Sequence, residues 1–149
     1  MRLKPSLRFS TYAAFATLFV TGAGWLVADW QKDISIDDIW QSTAVYLLMV
    51  HGGAAMATLL LIGALIPLHV LRGWRGGKNL ISGSAMISLN ALLIVTAFGL
   101  YYLGSETVRP WMKLIHLVAG FGLPALFAVH IFLGRRQTSQ RDPPRSRVP

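Results

Sequence analysis

The chain has 149 residues, 54% of them hydrophobic and 13% charged, with no cysteine and a formal charge of +8 at pH 7. A soluble domain carries about 25% charged residues, so this low share, set around long uncharged runs, indicates an integral membrane protein. The missing cysteine excludes disulfides, thiolate nucleophiles and Cys-ligated zinc or iron–sulfur sites. The basic residues flank apolar runs, as membrane topology requires, and form no nucleic-acid-binding face.

Arg2, Lys4 and Arg8 precede a first apolar run over residues 9–27. It is longer than a signal-peptide core and no A-x-A site follows it, so it reads as a retained helix over about 9–30. Trp25, Asp29 and Trp30 mark its interfacial edge. Residues 31–42 read as a short loop with Asp33, Asp37 and Asp38. A second helix spans about 43–71, with Pro67 expected to kink it by removing a backbone hydrogen bond. The glycine-rich basic turn Arg72–Asn79 follows. A third helix covers about 80–103. Pro110 and Trp111 open a fourth over about 110–134, because proline suits a first helical turn. The four helices make one domain, residues 1–134. The tail, 135–149, has five arginines and three prolines and is expected to be a disordered cytoplasmic extension.

The distribution of Lys and Arg sets the orientation. Arg2, Lys4, Arg8, Arg72, Arg75, Lys78, Arg135, Arg136, Arg141, Arg145 and Arg147 fall on one side, and Lys32, Arg109 and Lys113 on the other. The positive-inside rule places both termini in the cytoplasm. The fold class is therefore an all-α, integral membrane four-helix bundle, N-in and C-in. Its second and fourth helices run in the same direction.

All four histidines lie inside these apolar segments, where ionisable side chains are functional suspects. His116 and His130 are 14 residues apart on the fourth helix, about four turns and about 21 Å. The face His116, Gly120, Leu123, Phe127, His130 carries an imidazole near each end. His51 and His69 are 18 apart on the second helix, about five turns and about 27 Å. Because the two helices run in the same direction, His51 and His116 share the outer depth, and His69 and His130 the cytoplasmic depth. Two neutral imidazoles facing each other across a gap are the ligand set of a bis-histidine haem iron. Such a flat group needs thin helix faces. Ser10, Ala13, Thr17, Thr21 and Gly24 form one on the first helix, and Ala85, Ser88 and Gly99 another on the third, with Leu92 between. On the second helix the face His51, Ala55, Thr58, Ile62, Leu65, His69 follows the same rule, and Gly52, Gly53, Gly120 and Gly122 thin the helices further.

With His116 and His130 at their 14-residue spacing and His51 on the second helix, residues 9–134 resemble the four-helix b-type cytochromes. These are the cytochrome b561-like membrane subunits of bacterial respiratory oxidoreductases and the haem-binding core of cytochrome b. The resemblance implies two haem b groups, one near each membrane face, in a bacterial inner-membrane protein. It would relay electrons between the quinone pool and a peripheral or membrane redox subunit. The iron ligands would be His51 with His116 and His69 with His130. Many b561-like subunits take a ligand from the first helix, which has no histidine here, so His69 supplies the fourth as the second helix does in the cytochrome b core. The unequal spacings then require a relative helix tilt of about 40° or a contribution from the kink at Pro67.

Other readings stand beside this one. The histidines could simply hydrogen-bond neighbouring helices in a small structural or assembly membrane protein. A zinc or copper site lacks carboxylate or thiolate ligands here, and a proton-coupled transporter lacks a buried acid. Arg72, Arg75, Lys78, Arg109 and Lys113 serve either topology or haem propionates. Asn90 reads as an interhelical bond or a quinone contact. No nucleophile–base pair, phosphate loop or carboxylate pair is present.

Overall fold

The structure, a computed structural model, describes residues 4–34, 38–77 and 79–139. Every regular element among them is helical. In chain order these are α1 (Pro5–Lys32), α2 (Asp38–Leu65), a π turn (Ile66–Val70), α3 (Leu71–Arg75), α4 (Leu80–Tyr102) and α5 (Val108–Ser139). Four helical spans are long and apolar enough to cross a membrane: Pro5–Lys32, Asp38–Arg75, Leu80–Tyr102 and Val108–Arg136. This is the architecture of a multi-pass membrane protein.

Three of the four long helices begin earlier than hydropathy alone suggests, for local reasons; α4 begins at Leu80 as expected. Pro5 opens α1, where its missing N–H costs no internal bond. Asp38 lies in the first turn of α2, where a carboxylate meets the positive end of the helix dipole. The expected loop over 31–42 is therefore shorter, and Asp37 falls outside the described residues. Ahead of α5, the Ser105 side chain accepts from the Val108 N–H at 3.4 Å, so helix begins before Pro110. Between α3 and α4 the chain turns through Gly77 (φ 60°) and Asn79 (φ 51°). Asparagine is among the few residues that tolerate this left-handed backbone. Lys78 lies outside the described residues. At the far end, α5 continues to Ser139, past the expected start of the tail. The Arg136 guanidinium sits 4.3 Å from the centre of the Phe132 ring, one turn back. Residues 140–149 of the expected tail lie outside the described residues.

The chain divides into two compact units, Met1–Leu71 and Arg72–Pro149. The first is a hairpin of α1 and α2. Thr21 meets His51 and Gly24 meets Leu47, so numbers rise on one helix as they fall on the other and the pair is antiparallel. The second is a hairpin of α4 and α5, antiparallel by the same test: Ser82 meets His130, Thr96 meets His116 and Gly99 meets Met112.

Both hairpins are packed inside out relative to a soluble protein. The buried residues include Thr11, Thr21, Thr58, Ser82 and Thr96, with Ala28, Ala44, Ala119 and Leu123 as the buried apolar ones. Large apolar side chains such as Leu60, Ile81, Met56 and Val118 point outward. In water this arrangement would expose extensive apolar surface. In lipid it follows directly, because tails solvate leucine and small residues let backbones approach. Each buried threonine hydroxyl donates to a carbonyl of its own helix, Thr11 to Leu7 and Thr58 to Ala54 for example, so it needs no water. Gly99 shows how close the approach is: a Cβ there would stand 3.1 Å from the Met112 sulfur.

Candidate functional site

An imidazole in an apolar helix has two ring nitrogens to satisfy, one carrying a proton and one a lone pair. For three histidines the structure supplies a hydroxyl from the neighbouring helix of the same hairpin, always at Nδ1. His51 on α2 has the Thr21 hydroxyl of α1 at 3.0 Å. On α5, His116 has the Thr96 hydroxyl of α4 at 2.8 Å, and His130 has the Ser82 hydroxyl at 3.1 Å. The Leu18 backbone also hydrogen-bonds His51.

The backbone makes room for these contacts. Gly22 faces the His51 ring, and a Cβ at that position would come 3.2 Å from Cε1 and 3.5 Å from Nδ1. Thr96 is 2% exposed and Thr21 7%, so both hydroxyls are sealed into their helix contacts. The rings of His51, His116 and His130 are half-buried.

His69 is placed differently. It is exposed and lies within the π turn Ile66–Val70. Pro67 has no N–H to give the Gly63 carbonyl, so α-helical bonding fails there. The turn instead closes with the Leu71 N–H on the Ile66 carbonyl, one residue wider than an α turn. An extra residue is worth about 100° of helical rotation. The shared face of His51 and His69 belongs to an unbroken helix, and this segment is not one. The position at which sequence suggested a kink, Pro67, thus lies in a widened turn. Pro124, by contrast, sits inside α5 without interrupting it.

Within either hairpin the two histidines stand four or five turns apart, about 21 to 27 Å. Neither hairpin alone therefore brings two imidazoles to one metal ion. Among the described residues no three His, Cys, Asp or Glu side chains gather to hold a metal ion. A haem iron takes only two protein ligands.

Sequence reading anticipated Thr21 and Gly24 as part of a thin face. In the structure they pack against His51 and Leu47 inside the hairpin. It overlooked Ser82 and Thr96. The signal was available: these hydroxyls are 14 residues apart, the same spacing as His130 and His116. In an antiparallel pair joined by a short loop, equal spacings fall level with each other. Asn90, between them on α4, donates to the Met86 carbonyl of its own helix at 2.8 Å. Comparison with protein-family models, with curated proteins and with solved structures finds no match for this chain.

Proposed function

We propose that this chain is a dihaem b-type membrane cytochrome that relays electrons between the quinone pool and a redox partner subunit. It would lie in the bacterial inner membrane with both termini cytoplasmic, as the Lys and Arg distribution favours. The observation that carries the reading is the pair of hydroxyl-held imidazoles on α5, His116 and His130, at two levels 14 residues apart, with a third of the same kind, His51, on α2.

The residues fit such a group by the chemistry of their donors. Ligating histidines characteristically turn one ring nitrogen to an outer partner and the other to the metal. With Nδ1 engaged by a threonine or serine, Nε2 is the ligating nitrogen. His51 with His116 would hold one haem, and His69 with His130 the other. Bound b-type haem supplies one-electron chemistry at a potential tuned by its ligands. The chain contributes oriented imidazoles, an apolar surround that keeps water away, and helix ends that reach both membrane faces.

The test is direct. Purified in detergent, the protein should give oxidised and dithionite-reduced spectra of a b-type haem at two per chain. One per chain would retire the assignment of His69 with His130. The absence of haem would overturn the proposal.

The same three contacts favour one other reading. They are interhelical hydrogen bonds, worth about 0.6 kcal/mol each in a membrane, and could serve a structural or assembly protein with no cofactor. A haem-free protein whose stability falls on removal of each hydroxyl would support that reading.

A further inference from the structure

We infer that Thr21 and Thr96 are positioning residues that fix the protons of His51 and His116 on Nδ1 and so leave the lone pair on Nε2. The Thr21 Oγ1 lies 2.6 Å from the Thr17 carbonyl oxygen. Two oxygens that close require a hydrogen between them, and a carbonyl has none to give. The threonine proton is therefore committed to its own helix. Its contact with His51 Nδ1 at 3.0 Å then needs a proton from the ring.

Thr96 repeats the arrangement. Its hydroxyl lies 2.8 Å from the Leu92 carbonyl and 3.1 Å from that of Leu93, leaving His116 to donate across 2.8 Å. Ser82 does not. Its own-helix carbonyl, Asn79, is 3.5 Å away, at the outer limit of a bond, so its proton can turn to His130. The lock thus acts on His51 and His116 and leaves His130 in either form.

For ligation this inference rests on the proposed function; for the tautomer it does not. An imidazole whose N–H is hydrogen-bonded is a stronger donor to metal. Removing the acceptor weakens that donation, destabilises the ferric state and raises the potential.

The experiment reads both halves. Haem-free protein in detergent, labelled with nitrogen-15 histidine and held at a pH where imidazole is neutral, should show His51 and His116 protonated on Nδ1. Thr96→Val should move the His116 proton to Nε2, the form favoured in water, and leave His51 unchanged. Thr96→Ser should restore Nδ1. Wild-type His116 protonated on Nε2 overturns the inference even if the valine variant fails to fold. In haem-loaded protein, Thr96→Val should raise the midpoint potential of one haem and weaken its retention about 10- to 100-fold, with Thr96→Ser near wild type. An unchanged potential in the valine variant overturns the positioning role. Wild type that binds no haem refutes the proposed function instead, and the tautomer measurement still decides this inference.

Discussion

In the second hairpin, histidines and hydroxyls repeat together: Ser82 holds His130, and 14 residues along each helix Thr96 holds His116. In the first hairpin there is one such level, Thr21 with His51. The register that pairs those two places the level of His69 ahead of Pro5, where α1 begins. His69 also lies in the π turn. The second hairpin is thus regular at two depths and the first at one. His51, His116 and His130 each have a hydroxyl partner within their own hairpin, whereas His69 lies in the π turn.

The strongest way to break this comparison is His116→Ala. It should abolish one haem and leave about half of the reduced-minus-oxidised absorbance, since each b-type iron needs both axial ligands. His51→Ala should give the same spectrum, because the two are assigned to one iron. Different residual spectra in the two variants would show that they serve different sites.

Next in size is Pro67→Ala. It returns the missing N–H, and a helix-interior proline costs about 3 kcal/mol relative to alanine. The π turn should close to α, with a gain in resistance to denaturant approaching that figure. His69 should rotate and its haem be lost, while the haem of His51 and His116 stays. If the first hairpin differs from the second because of this turn, Pro124→Ala should change neither haem.

These two prolines also show how far the sequence could be read. The four apolar spans and the membrane class were legible, because about 20 apolar residues carry that signal by themselves. The π turn was not. Gly63 precedes Pro67 by four residues and Gly120 precedes Pro124 by four, so both prolines sit in the same local context, yet only one widens its turn. The histidines were legible as the ionisable groups of the spans. Their hydroxyl partners were not singled out, because Thr21, Thr96 and Ser82 resemble any small residue of a membrane helix contact until the hairpin register is known. Helix ends were misjudged at Asp38 and Val108 because hydropathy is blind to a first turn that lies outside the apolar run.

Gly22→Leu tests the one level in the first hairpin from its backbone side. Even the first side-chain atom would come 3.2 Å from His51 Cε1, so the ring must move away from Thr21. Haem retention at that level should fall about 10-fold, within the range for disturbed outer partners of a ligand. Gly22→Ala should fall between this variant and wild type, because the ring need yield only slightly. An unaffected leucine variant would show that the Thr21 contact does not hold the ring.

Ser82→Ala should have the smallest effect and is the most informative about regularity within the second hairpin. The serine contact with His130 is 3.1 Å, longer than the 2.8 Å of Thr96 with His116, and its own-helix bond is stretched to 3.5 Å. Losing it should cost about 0.6 kcal/mol, the average for such bonds in a membrane, as measured by detergent-titrated unfolding. Thr96→Val should cost more, because it removes the shorter of the two contacts and leaves His116 Nδ1 facing a methyl group, and a buried polar atom without a partner costs about 1–3 kcal/mol. Equal losses in the two variants would mean that the levels are equivalent. The difference in hydroxyl geometry would then have no energetic counterpart.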